Sequence, residues 1–283
     1  MSDPVNANTR QIKEWNGSAG DSWFMNADRF DRMLKPFSDA LLAAADVQRG
    51  EKVLEIGCGA GGLAIELARR RAKVTALDVS NSLLQRARLR EMEALVSIDF
   101  REEDASHTVF TPDFDLLISH LGVMCFDDPA AAFANMRTAL KPDGRLAMLA
   151  WRSMAENEVT VLTEAALAPD LTAPVRPPDA PGPFSFGDRD RVHGILSRAG
   201  FSDIAIEPFD ATMLFGEGED GKTALDDAME MAYHIGPLRR FLDGQSELST
   251  IGVHQRLRKL FSYHVTPKGV ELKGAAWVIT AKA

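Results

Sequence analysis

The run Val53-Leu-Glu55-Ile-Gly57-Cys-Gly59-Ala-Gly61-Gly62 concentrates the chemistry of this sequence. A short apolar stretch enters a cluster of glycines, and a helical pattern with Leu63, Ile65, Leu67 and Ala68 turned inward follows. Glycines at such a turn let the backbone approach a ligand closely. The helix start beyond them favours a negatively charged group. On their own they mark any nucleotide binder. Two carboxylates narrow the choice. Glu55 stands just before the turn, and Asp78 ends the next apolar run, Lys73-Val-Thr-Ala-Leu-Asp78. An acid about twenty residues past the turn can accept hydrogen bonds from both hydroxyls of a ribose, a geometry that serves more than one nucleotide cofactor. Its alternative work is to cap the helix that follows.

Five segments in order add to this. VLEIGCGAGG, ALDVS, EEDA, FDLLISHLGVM and LKPDGRLAMLAW resemble the successive motifs of class I S-adenosylmethionine-dependent methyltransferases. The resemblance covers about residues 50 to 151, plus FSDIAIEPF and a final strand. The pair Trp151-Arg152 is similar to the start of the segment after the fifth strand in a broad bacterial group acting on small molecules. The cofactor implied is S-adenosylmethionine. By position, the resemblance implies that Gly57 and Gly59 lie under its methionine part. Glu55 would organise the loop or meet the amino group, Asp78 would bind the ribose and Val79 would pack on the adenine. Asp104 would accept from the adenine amino group, beside the Ala105 N–H. Ser119 would offer its carbonyl to the methionine ammonium. Trp23, with Trp15, would close over the methionine end or else anchor the N-terminal helices.

Methyl transfer from a sulfonium is an in-line displacement, for which positioning alone can supply about 7–11 kcal/mol. A base is needed only if the acceptor must lose a proton. His120, at the ligand end of the fourth strand, is the candidate base, and its alternative role is a hydrogen bond to a loop carbonyl. His234, in AYHIGPL, either faces substrate or sits on a helix surface. SHLG stands where amino-methylating enzymes of bases and glutamine carry Asn/Asp-Pro-Pro-Tyr/Phe. Two other readings stay open. An NAD(P)-dependent oxidoreductase shares the turn-plus-acid logic, although no Tyr-x-x-x-Lys pair is present and Asp104-Ala105 follows the third strand. A cofactor-binding protein that does not itself methylate is the other.

The elements that must position these residues alternate. Strands are expected at 52–56, 73–78, 96–101, 114–119 and 145–151, with helices at 61–71, 80–90 and 129–140 between them. That rhythm predicts an α/β, Rossmann-like, seven-stranded and mostly parallel sheet with helices on both faces. By resemblance, the last strand is antiparallel, pairing with a sixth strand at 201–209 and running over 274–281. The whole of 1–283 reads as a single methyltransferase domain. Residues 1–45 form an N-terminal helical cap, in which Pro36 kinks or splits a helix. Residues 50–151 form the cofactor-binding core. Residues 152–187, with six prolines between Pro169 and Pro183, read as a loop insertion. Residues 216–265 read as a helical cap insertion. The added segments bring Trp23, Phe24, Phe30, Met33, Phe184, Phe186, Met229, Met231, Tyr233 and Phe241. This apolar and aromatic set suits a hydrophobic or aromatic small-molecule acceptor, or else the cap's own core.

Composition bounds the partners. A net charge of −9 on 283 residues argues against nucleic acid. The basic runs Arg69-Arg70-Arg71 and Arg86-Ala-Arg88-Leu-Arg90 read as solvated helix faces. Cys58 and Cys125 form no CxxC pair, so no metal site is expected. No run approaches the roughly eighteen apolar residues of a membrane span, and a cytoplasmic location is the default. A homodimer stays open.

Overall fold

The computed structural model describes residues 8–168, 180–218, 221–235, 238 and 247–283. Three helices open it: α1 (Thr9–Trp15), α2 (Ser18–Met25) and α3 (Ala27–Ala45). The alternating region follows as β1 (Lys52–Ile56), α4 (Gly62–Arg69), β2 (Lys73–Asp78), α5 (Asn81–Ala94), β3 (Ile98–Glu102), β4 (Phe114–His120), α6 (Pro129–Arg137) and β5 (Leu140–Trp151). The rest comprises α7 (Glu158–Leu167), α8 (Arg189–Arg198), β6 (Ser202–Gly216), α9 (Ala224–His234), α10 (Glu247–Ser262), β7 (Val265–Thr266) and β8 (Gly269–Lys282).

The sheet runs β3-β2-β1-β4-β5-β8-β6. Strands β1 to β5 are parallel, and β8 lies antiparallel between β5 and β6. The expected seven strands are joined by an eighth, the two-residue β7, which pairs with the start of β8. The order reverses between β1 and β4, so the connections leaving these strands part and open a crevice at their carboxyl ends, where open α/β sheets take ligands. Side chains alternate across β1. Val53 joins the core packed by α3 and α4, whereas Leu54 and Ile56 join the opposite core with Phe133 and Ile195.

Three expectations change along these elements. Pro36 does not split its helix: α3 is one element from Ala27 to Ala45. Phe30, Met33, Leu34, Phe37 and Leu41 are all buried along it, and this continuous face against the sheet outweighs the lost backbone bond. Residues 152–187 are not loop throughout, because α7 lies within them and packs on α10 and β8. Its buried face includes Thr160 and Thr163, whose hydroxyls donate to Asn157 O and Val159 O at 2.7 and 2.6 Å. A face satisfied in this way shows no apolar period. Pro169, Pro174, Pro177 and Pro178, which shaped that reading, lie outside the described residues. The β6–β8 hairpin is longer than expected, because Met213 and Phe215 are buried on β6 and the pairing runs on through Met213 opposite Leu272 to Gly216 opposite Val270. Helices α9 and α10 extend from its far end.

The basic runs divide. Arg69, Arg70 and Arg71 are exposed. Arg86 and Arg90, by contrast, tie α5 to α3 through Asp28, at 2.8 and 3.2 Å. Arg90 also pairs with Asp31 and donates to Ala60 O at 2.8 Å, bracing the glycine turn from behind.

Candidate cofactor and acceptor site

The glycine turn is fixed from two sides. Gly57 N and Cys58 N both donate to Leu77 O, at 2.8 and 3.1 Å, which holds the turn to the end of β2. Gly59, with φ +53°, donates its N–H to Asp78 Oδ2 at 2.7 Å. Asp78 Oδ1 accepts from Ser80 N at 2.9 Å. Asp78 therefore ties the turn to the start of α5 before any ligand is considered. A side chain at Gly57 would meet Gly122 Cα at 2.7 Å. The turn after β1 and the turn after β4 thus touch backbone to backbone. In the second turn Leu121 takes φ +64°, an uncommon conformation for a residue with a side chain.

The helix after Asp78 is capped from elsewhere. Ser80, at the N-cap position of α5, makes no side-chain cap bond and instead donates to Trp15 O at 2.7 Å. Asn16 takes the role: its Oδ1 accepts from Asn81 N at 3.1 Å and its Nδ2 donates to Val79 O at 2.7 Å. The polar turn after Trp15 is thereby docked onto the β2–α5 corner. Trp23 stacks on Phe30 at 4.1 Å between ring centroids and meets Trp15 edge-on at 6.1 Å.

One cavity of about 1330 Å³ collects Gly57, Gly59, Asp78, Val79, Asp104, Ala105, Trp23 and His120. Two expected site residues are not on its wall. Ser119 is fully buried, its Oγ donating to Ile56 O at 2.8 Å and accepting from Gly122 N at 3.3 Å, so its side chain joins the two turns. Glu55 lies buried beneath the turn, and its Oε2 has no hydrogen-bond partner. Burial, then Asp78 and Asp31, push its carboxyl up to about 8. Burial also raises Asp78 and the Cys58 thiol. Burial works against ionisation of Asp104, yet hydrogen bonds from Ser106, Asn8 and His107 outweigh it and hold that carboxyl below its ordinary value.

His120 and His234 both line the cavity. His120 Nε2 lies 3.4 Å from Ser38 Oγ, and burial alone lowers its ring to about 4. Burial lowers His234 as well. Of the apolar residues anticipated for the acceptor pocket, Trp23, Phe30, Met33 and Phe184 reach the wall. Phe186, Met229 and Met231 are instead buried in the two cores, and Tyr233 bonds His254 Nδ1 at 2.5 Å. Phe24 does not line the cavity, and Phe241 lies outside the described residues. The sequence reading missed Asn8, Met124, Asn157, Met213 and Phe215, all on the wall. Met213 and Phe215 were legible as alternating apolar positions beyond the assigned strand. Asn8 and Asn157 carried no signal.

The residues fit a nucleoside sulfonium cofactor. At Gly59 a Cβ would meet nothing within 4 Å, so the backbone there is bare toward ligand. Val79, Ala105, Ile12 and Leu83 supply apolar walls near the acceptors Asp78 and Asp104. Among the described residues the wall carries six carboxylates (Glu14, Asp78, Glu103, Asp104, Asp127 and Asp188) against one guanidinium, Arg191. That balance suits a cation.

Comparison with known proteins agrees with this geometry. Residues 53–144 match the family model described as a methyltransferase domain. An uncharacterized protein of Mycobacterium tuberculosis is 30% identical over 122 residues, 43% of this chain and 44% of that protein. The ubiquinone biosynthesis O-methyltransferase of Azotobacter vinelandii is 34% identical over 99 residues, 34% of this chain and 43% of that enzyme. The chain thus spans under half the length of these relatives. The crystal structure of magnesium protoporphyrin IX methyltransferase from Synechocystis PCC 6803, with bound S-adenosylhomocysteine, aligns at TM-score 0.56 over 98% of this chain and 100% of that one, at 14% identity. That likeness is one of fold. Among the described residues no helix is long and apolar enough to cross a membrane. Residues 53–144 thus match a methyltransferase domain, set in a mostly parallel sheet whose fold is shared with the Synechocystis PCC 6803 methyltransferase.

Proposed function

We propose that the protein transfers a methyl group from S-adenosylmethionine to a small apolar or aromatic molecule without negative charge, in the cytoplasm. One observation carries this reading. A single cavity of about 1330 Å³ is lined both by the acids Asp78 and Asp104 and by the apolar Phe30, Met33, Trp151, Met213 and Phe215. A single small-molecule site takes about 300–1,000 Å³, so this volume leaves room for an acceptor beside a cofactor. The excess of carboxylates on the wall disfavours phosphates and other polyanions as acceptors. The name of the Azotobacter vinelandii relative, an O-methyltransferase of ubiquinone biosynthesis, is compatible with an aromatic acceptor.

S-adenosylmethionine, when bound, supplies an electrophilic methyl group on a positively charged sulfur. The residues of the chain position and shield. Asp78, Val79, Asp104 and Ala105 would hold the adenosine end, and the bare backbone at Gly59 would underlie the remainder. Trp23 and Phe30, stacked at 4.1 Å, form a stiff apolar wall that excludes water. His120 is uncharged near neutrality because burial holds its ring at about 4. In the tautomer whose Nε2–H donates to Ser38 Oγ, which itself donates to Leu34 O at 3.4 Å, its Nδ1 is free to accept a hydrogen bond from an acceptor hydroxyl or amine. The test is incubation with methyl-labelled S-adenosylmethionine and a small-molecule cell extract. Label is expected in a product that partitions into organic solvent. Turnover that labels only phosphorylated or anionic, water-retained products would refute the acceptor class, and no transfer at all would refute the activity.

A further inference from the structure

Asp104 is the carboxylate that this reading assigns to the adenine amino group, and it is already occupied by the protein itself. Its Oδ1 accepts from Ser106 N at 2.9 Å, from Ser106 Oγ at 2.7 Å and from Asn8 Nδ2 at 3.2 Å. Its Oδ2 meets the same Asn8 Nδ2 at 3.2 Å and His107 Nδ1 at 3.2 Å. A carboxylate offers about four lone-pair sites. Four donor groups, with the Asn8 amide bridging both oxygens, occupy these sites and leave no acceptor position for an incoming amino group unless one partner withdraws.

Asn8 is the partner that can withdraw. The Ser106 and His107 contacts come from the same turn as Asp104, whereas Asn8 arrives from the far end of the chain. Its carboxamide is buried, lines the cavity and makes no side-chain bond to cap α1, although asparagine is a favoured residue at that position. It donates instead to Asp104 and, at 2.8 Å, to Ser106 Oγ, while its Oδ1 accepts from Asp127 N at 3.4 Å. A primary amide presents a planar NH₂ group, the same donor as the exocyclic amino group of adenine.

We infer that Asn8 stands in for the adenine amino group on Asp104 in the ligand-free protein and competes with cofactor for that carboxylate, so that the first turn of α1 must release before adenosine is seated. This rests on the cofactor reading above, and it makes Asn8 a residue that sets cofactor affinity. Asn8 O accepts from Ile12 N at 3.0 Å, so displacement of Asn8 is coupled to the start of α1 and, through it, to the Trp15–Asn16 corner docked on Val79.

The test is calorimetric titration of wild type and Asn8→Ala with S-adenosylhomocysteine. Removing a competing charge-assisted hydrogen bond is expected to tighten binding about tenfold. Equal affinity, or weaker binding by the variant, overturns the inference, since Asn8 would then be neutral or part of the cofactor site. Failure of both proteins to bind overturns the cofactor reading instead and is distinguishable on that ground. An independent readout needs no variant. The Asn8 side-chain amide resonances of the ¹⁵N-labelled wild type are expected to move to free-amide positions when S-adenosylhomocysteine is added. Resonances that stay in place during saturation overturn the inference.

Discussion

Glu55 is an acid the fold keeps uncharged, and replacing it with glutamine tests that directly. The side chain is 1% exposed, and Oε2 has no hydrogen-bond partner. Burial, then the charges of Asp78 and Asp31, raise the carboxyl from 4.5 to about 8. Between those two values the folded protein holds a proton that the unfolded chain has released, so stability is greatest at low pH and is lost as pH rises toward 8. Each tenfold change in proton affinity between the two states is worth about 1.4 kcal/mol, so wild type loses about 2 kcal/mol from this group between about pH 6 and pH 8. Glu55→Gln has nearly the same shape and cannot ionise. From about pH 6 to pH 8 the variant's melting temperature should therefore gain about 5 °C on that of wild type, since 1 kcal/mol moves a chain of this size by about 2–4 °C. The assay is thermal unfolding of both proteins across that range without ligand, where all other titrations cancel in the difference. A difference in melting temperature that stays constant with pH would mean that Glu55 is already charged in the fold, and the burial argument would be wrong.

Asp78→Ala should weaken S-adenosylhomocysteine at least about tenfold by calorimetry. It should also destabilise the ligand-free protein by about 2–3 kcal/mol, because the Gly59 and Ser80 N–H groups both lose a charged acceptor; an unchanged melting curve would show that the turn does not depend on Asp78. His120, lowered to about 4 by burial, should show no titration in ring NMR shifts between about pH 5.5 and pH 8. Its depressed value also means that stability is lost as pH falls from the ordinary 6.5 toward 4, and an inflection near 6.5 in the folded protein would refute its burial. Hydrogen exchange with S-adenosylhomocysteine should slow over Trp15–Trp23 and at His234, while Met229 and Met231 of α9, already buried, should not change. Protection confined to Gly57–Gly62 would show that the N-terminal helices do not cover the ligand.

The parallel core was legible because its signals are local. Val53–Ile56, Lys73–Asp78 and Phe114–Ser119 are apolar runs ended by glycine or acid, and each became a strand at nearly the expected bounds. The cavity residues on those strand ends were legible for the same reason. What escaped depended on distant partners. The capping role of Asn16 exists only because α1 docks 65 positions away on Asn81. Helix α7 was hidden because Asn157, Thr160 and Thr163 are buried with their polar groups satisfied, so the apolar period was absent. The acceptor pocket was only partly legible. Methionine and aromatic residues on a helix, such as Met229 and Met231, look alike in sequence whether they face a ligand or their own core, and here they face the core.

Calorimetric titration of the purified protein with S-adenosylhomocysteine tests the central claim most directly. Asp78, Asp104 and the bare backbone at Gly59 lie on one cavity wall, and the account predicts saturable one-to-one binding with micromolar affinity. Absence of heat at millimolar ligand, in a protein shown to be folded, would contradict it.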